Sequence, residues 1–70
     1  MWRIKCSNGK YITKTHGGTH LDFNSRGKVW QSENLVIKNI ELCEYCVEKY
    51  DGIEGVDTYT GLTFEIEPVG

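Results

Sequence analysis

The sequence predicts a small α+β domain, an antiparallel sheet of three to five strands in the order ββ(β)αββ with one amphipathic helix packed on one face. Three observations lead there. An Asn8–Gly9 pair divides two alternating segments, a helical stripe runs from Val36 to Tyr50, and the tail alternates again from Leu62 to Glu67. At 70 residues the chain is one domain, residues 1–70, with a small core and a narrow stability margin.

The stretch "WRIKCSNGKYITK" reads as a hairpin, because Asn-Gly readily adopts the positive φ angles of a two-residue turn. A two-residue loop pairs Cys6 with Tyr11 and Lys5 with Ile12. It gathers Trp2, Ile4, Cys6, Tyr11 and Thr13 on the face expected inside, with Arg3, Lys5, Ile12 and Lys14 on the other. "THGGTH" follows as a loop, "HLDF" as a brief strand, "NSRG" as a second turn and "KVW" as a short strand.

Ser32 is placed to cap a helix, with Glu33 in its first turn where the dipole favours negative charge. Val36, Ile40, Cys43, Val47 and Tyr50 follow at spacings of 4, 3, 4 and 3, one face of a helix over about 33–51. Leu35, Leu42 and Cys46 widen the stripe, Lys38, Glu41, Glu44 and Glu48 fall opposite, and Gly52 ends it. Residues 53–68 read as one bulged strand or a hairpin turned at Thr60–Gly61, with Pro68 ending the pairing. The expected core is Trp2, Ile4, Cys6, Tyr11, Val29, Val36, Ile40, Cys43, Val47, Val56, Phe64 and Ile66. Trp30 lies opposite Val29 by strand alternation.

No apolar run reaches membrane-spanning length, and the N-terminus alternates charged with apolar residues where a signal peptide would have a continuous apolar stretch. Three cysteines, an odd number, do not suggest a secreted disulfide scaffold. The expectation is a cytoplasmic protein with no membrane partner. Net charge is −2, but it is polarised: six of the eight Lys and Arg residues fall in residues 1–30, and nine of the ten Asp and Glu residues in 31–70. Such a distribution steers partners, or lets the two halves attract each other within one fold.

Cys43-x-x-Cys46 admits three readings. With His16 and His20 it completes a Cys₂His₂ zinc set, and a structural metal would help so small a domain. Zinc knuckles, however, sit in tight turns, and this pair lies on a helical stripe. A redox couple needs a helix N-terminus to stabilise its thiolate, whereas here Glu41, Glu44 and Glu48 surround the pair and oppose ionisation. The third reading is packing, the usual role of a buried free cysteine. Cys6, His16 and Asp22 supply the residue types of a nucleophilic triad, but no motif joins them. Neither "HGGTH" nor "NSRG" matches a phosphate-binding loop, so no cofactor is expected and the protein reads as a non-enzyme.

Two binding readings remain. Arg3, Lys5, Lys10, Lys14, Arg26 and Lys28, with Tyr11 or Trp30 for stacking, suggest a nucleic-acid or nucleotide surface on the hairpin. An acidic helix and tail and a pI near 5.6 oppose it. The leading reading is a protein-docking module that uses Glu41, Glu44, Glu48 and Lys38 on the outer helix face. Exposed strand edges offer a route to a homodimer.

One resemblance bears on context. "IKCSNGKYI" and "GKVWQSENLVIKNI" contribute Ile4, Lys5, Gly9, Lys10, Tyr11, Phe23, Gly27, Lys28, Val29, Trp30 and Ser32. In these residues the first 40 or so positions resemble small accessory proteins encoded by tailed bacteriophages. The cysteine pair and the acidic tail lie outside the shared pattern. The resemblance implies a viral protein acting in the host cytoplasm by binding a host or antiviral-defence protein.

Overall fold

The computed structural model describes all 70 residues as a four-stranded antiparallel sheet crossed by one helix. The elements are β1 (Trp2–Cys6), β2 (Tyr11–Lys14), β3 (Asp22–Asn24), α1 (Glu33–Tyr50) and β4 (Phe64–Pro68), and the sheet order is β3-β2-β1-β4. The α+β class and the position of the helix are as the sequence predicts.

The hairpin differs from expectation by one residue. The Cys6 N–H donates to Lys10 O at 2.8 Å and the Gly9 N–H to Cys6 O at 3.0 Å, so the loop is Ser7–Asn8–Gly9. Gly9 takes φ +85°, the left-handed bulge position of a three-residue hairpin. Asn8 Oδ1 accepts the Lys10 N–H and steadies the turn. Lys5 consequently faces Tyr11, and every β2 side chain changes sides relative to the two-residue register. Ile12 moves inside and is fully buried, while Tyr11 moves to the outer face and is half-buried. Fully burying an isoleucine stabilises by ~1.5–3 kcal/mol, so the gain of Ile12 decides the register.

β2 bulges at Thr13 and then diverges from β1. Residues 27–30 enter the gap. The Lys28 N–H donates to Ile12 O at 2.9 Å, and Trp2 and Trp30 exchange both backbone bonds at 2.9 and 2.7 Å. "KVW" is therefore a single bridge, not a strand. Its alternation places Trp30 inside at 5% exposure and Val29 outside at 41%, so Val29 leaves the expected core and Trp30 enters it. Asn24 Oδ1 accepts the N–H groups of Arg26 and Gly27 and turns the chain into this wedge.

α1 starts at Ser32, whose Oγ accepts the Leu35 N–H, with Glu33 in the first turn and Lys49 in the last. It ends in a tight turn in which the Ile53 N–H donates to Tyr50 O and Gly52 takes φ +77°. The core cluster joins Val36, Cys43 and Cys46 of the helix to Ile4, Ile12, Leu21 and Trp30. Trp2, Ile40, Phe64 and Tyr50 pack around it half-buried. Val47 and Val56 are also only half-buried, and Ile66 is 37% exposed. Residues 53–62 form successive turns, not a strand, closed by Val56 N–H to Ile53 O, Thr60 N–H to Asp57 O and Leu62 N–H to Tyr59 O. Gly55 and Gly61 at positive φ break the alternation that suggested pairing there. Pro68 ends β4 opposite Trp2. The sheet edges are a three-residue β3 and a β4 that carries Glu65, Glu67 and Pro68, features that discourage edge-to-edge association.

Candidate functional site

The loop between β2 and β3 is tied down on all sides. The buried Thr15 hydroxyl donates to Asn39 Oδ1 at 2.9 Å, and Asn39 Nδ2 donates to Leu35 O at 2.8 Å. Gly18, at φ +87°, sits so close to the helix that a Cβ would lie 2.8 Å from Tyr45 Cδ1. The Tyr50 hydroxyl donates to Thr19 O at 2.9 Å, and the Tyr59 hydroxyl accepts the Leu21 N–H at 3.2 Å. Within this frame His16 and His20 stack at 3.7 Å between ring centroids, tilted by only 16°. His16 Nε2 bonds Asp22 Oδ2 at 2.8 Å. That bond, and then the nearby charges of His16, His20 and Lys14, hold the Asp22 carboxyl below its ordinary value. His16 adopts φ +46°, a left-handed conformation uncommon for a residue with a side chain.

The proposed Cys₂His₂ set does not assemble. His16 and His20 lie together at the surface loop, whereas Cys43 and Cys46 are fully buried in the helix–sheet core. Burial pushes the Cys43 thiol up to about 12, and the Cys46 thiol upward as well. Neither is a ready thiolate, so the pair packs, as the helical stripe suggested. Asp22 stands with the histidines in place of the cysteines. Cys6 is buried among the inner residues of β1 and makes no hydrogen bond to His16.

The outer sheet face carries the basic residues, but β4 brings acid between them. Arg3 pairs with Glu67, Nη2 to Oε1 at 3.1 Å, and its guanidinium lies 4.1 Å above the Tyr11 ring. The Tyr11 hydroxyl donates to Glu67 Oε2 at 2.8 Å. Lys5 stands opposite Glu65, Lys14 opposite Asp22, and Lys28 Nζ lies over the buried Trp30 ring at 5.4 Å. Of the six basic residues, only Arg3 is in an ion pair; Lys5, Lys10, Lys14, Arg26 and Lys28 stay exposed, with Glu65, Glu67 and Asp22 interspersed among them. Trp30 is buried and Tyr11 is covered by Arg3, so neither ring is presented for base stacking.

The Arg3–Tyr11–Glu67 cluster predicts a pH dependence. Glu67 is held below the ordinary carboxylate range, first by the Tyr11 hydroxyl and then by Arg3. A carboxyl depressed in the folded state adds stability above its unfolded value of ~4.3, and that stability is lost as pH falls through the folded value. Denaturant titrations should therefore show Glu67→Gln less stable than the parent near neutral pH, with the gap closing in acid. A gap that stays constant across the range would show that ionisation of Glu67 is not its source.

The outer helix face is different in kind. Glu41, Glu44 and Glu48 are exposed along one stripe, and none lies within ion-pair distance of a cation. Lys38 is exposed beside them, as are Ile37 and Tyr45, the latter at 56%. A shallow groove continues the stripe, lined by Glu44, Val47, Glu48, Asp51, Gly61 and Leu62. The sequence marked the glutamates but missed the other wall, because residues 53–62 were expected to form strands. No helix is long and apolar enough to cross a membrane. Comparison with protein-family models, curated proteins and solved structures found no match.

Proposed function

We propose that the protein is a non-enzymatic docking module whose outer helix face receives a basic segment of a partner protein. The observation that carries this reading is the groove beside α1. Glu44, Glu48 and Asp51 surround it with unpaired carboxylates, and half-buried Val47 and Leu62 supply apolar surface between them. A Lys or Arg side chain suits that combination, since its aliphatic stem packs on apolar atoms while its charged head meets carboxylates. Glu41 and Lys38 extend the surface toward the helix N-terminus. The resemblance to phage accessory proteins supports a host or antiviral-defence protein as the partner. The reading does not require the strand edges or the basic hairpin.

The test is affinity capture from a bacterial lysate with the parent chain and with Glu41→Lys/Glu44→Lys, followed by measured affinity for the captured protein. Both substitutions fall on exposed positions, so the circular dichroism spectrum should not change. Like-charge contacts across an interface cost several kcal/mol, so affinity should fall by about a hundredfold or more. Unchanged affinity would reject the helix face. A parent chain that captures nucleic acid, with Lys10→Glu abolishing the capture, would favour the hairpin instead.

A further inference from the structure

We propose that His16, His20 and Asp22 form a three-ligand site for a divalent transition-metal ion, with zinc as the reference ion. The three side chains lie within seven residues, and their donor atoms all lie within 4.8 Å of one another. Around a tetrahedral ion with bonds of ~2.0–2.1 Å, ligand atoms stand ~3.4 Å apart, so the donors are near enough, and the two stacked rings splay on binding to aim their lone pairs at one ion. Two imidazole nitrogens and one carboxylate oxygen suit zinc, nickel, copper or iron, and suit magnesium or calcium poorly. One or more coordination positions remain open to water, because His20 and Asp22 are exposed.

The surrounding hydrogen bonds fix how each ligand is presented. The Thr19 hydroxyl has one proton and donates it to His16 O at 2.7 Å. Toward His20 Nδ1, 3.3 Å away, the same oxygen can then only accept. His20 therefore carries its proton on Nδ1 and offers the Nε2 lone pair, the arrangement in which an outer hydrogen bond orients a metal-ligating imidazole. Between His16 Nε2 and Asp22 Oδ2 the bonded proton occupies the position that the ion takes. On binding, that proton moves to Nδ1 or to solvent, and nitrogen and carboxylate both turn to the ion.

The backbone is set for this before any ion arrives. His16 holds a costly left-handed conformation, kept in place by the Thr15, Gly18, Thr19 and Leu21 anchors. The cluster is separate from the helix groove, and neither proposal depends on the other.

Titration of the full chain with zinc chloride, followed by calorimetry, tests the site. One ion per chain should bind saturably, and the imidazole C–H resonances of His16 and His20, the only two histidines, should both shift. His20→Ala, and His16→Asn, which keeps a residue tolerant of positive φ, should each weaken binding by about tenfold or more, with Thr19→Val reducing it less. Circular dichroism of each variant confirms that the fold is intact. Absence of saturable binding at millimolar zinc overturns the site. So does a smaller loss of affinity in either folded histidine variant, which would place the ion on other groups such as the cysteines.

Discussion

Gly27→Ala should leave the chain largely unfolded at room temperature, whereas Gly17→Ala should fold and lose only ~1–2 kcal/mol. Both glycines have positive φ, +74° at Gly27 and +64° at Gly17, so both substitutions incur the left-handed penalty. Only Gly27 adds a collision. A Cβ there would collide with Tyr11 Cβ and stand 3.3 Å from Ile12 O, while nothing lies within 4 Å at Gly17. Tyr11 Cβ is bonded to the backbone of β2 and cannot swing away as a flexible side-chain tip would. Relief requires residues 27–30 to back out of the sheet, which breaks the Lys28–Ile12 bond and the Trp2–Trp30 bridge. A core of this size rarely supplies more than ~3–5 kcal/mol, so the combined cost consumes the margin. Thermal melts of the two variants decide the matter. A Gly27→Ala melting point within a few degrees of the parent would show that the wedge is not tightly held.

Trp30→Ala should cost ~3–5 kcal/mol, while Val29→Ala should stay within ~0.5 kcal/mol of the parent. The two residues are adjacent, and the bridge to Trp2 decides which of them turns inward. Trp30 packs in the same cluster as Ile4, Ile12 and Val36, so its removal leaves a cavity in a core of few side chains. Val29 is 41% exposed and leaves none. Urea unfolding of both variants measures the difference. Equal losses would mean that the segment is not fixed in this orientation.

The helix was legible because its stripe spans about four turns and each end carries its own signal, Ser32 at the start and Gly52 just past the end. The sheet was legible as a class but not in register. Asn8–Gly9 fits a two-residue or a three-residue loop equally well, and local turn chemistry does not separate them. The information that does was present one strand away. The two-residue loop leaves Ile12 outside and puts Tyr11 and Thr13 inside, while the three-residue loop buries Ile12 and leaves the Tyr11 hydroxyl free to meet Glu67. Weighing the whole strand, not the turn alone, favours the longer loop. The wedge at residues 27–30 had no comparable signal, since it depends on the divergence of two strands after the Thr13 bulge. At the histidine cluster the sequence drew attention to His16 and His20 but looked for their companions in a cysteine pair. Asp22 entered only as part of an unsupported triad, although it lies two residues beyond His20. The positive φ angles of His16, Gly17 and Gly18 fold that short span onto itself.

The pairing of β1 with β4 sets the order in which this protein can be made. β1 lies inside the sheet and includes fully buried Ile4, yet its neighbour on one side is formed by residues 64–68. While a ribosome is still adding those residues, one flank of β1 has no partner, and its backbone donors and acceptors face water or another chain. The sheet closes only after β4 has left the exit tunnel. Long-range pairing of this kind slows folding and leaves a strand open to mispairing in the interval. Arg3 and Lys5, two like charges alternating with apolar residues along β1, therefore matter before the fold exists, since they disfavour pairing with a second nascent copy until β4 brings Glu67 and Glu65 opposite them.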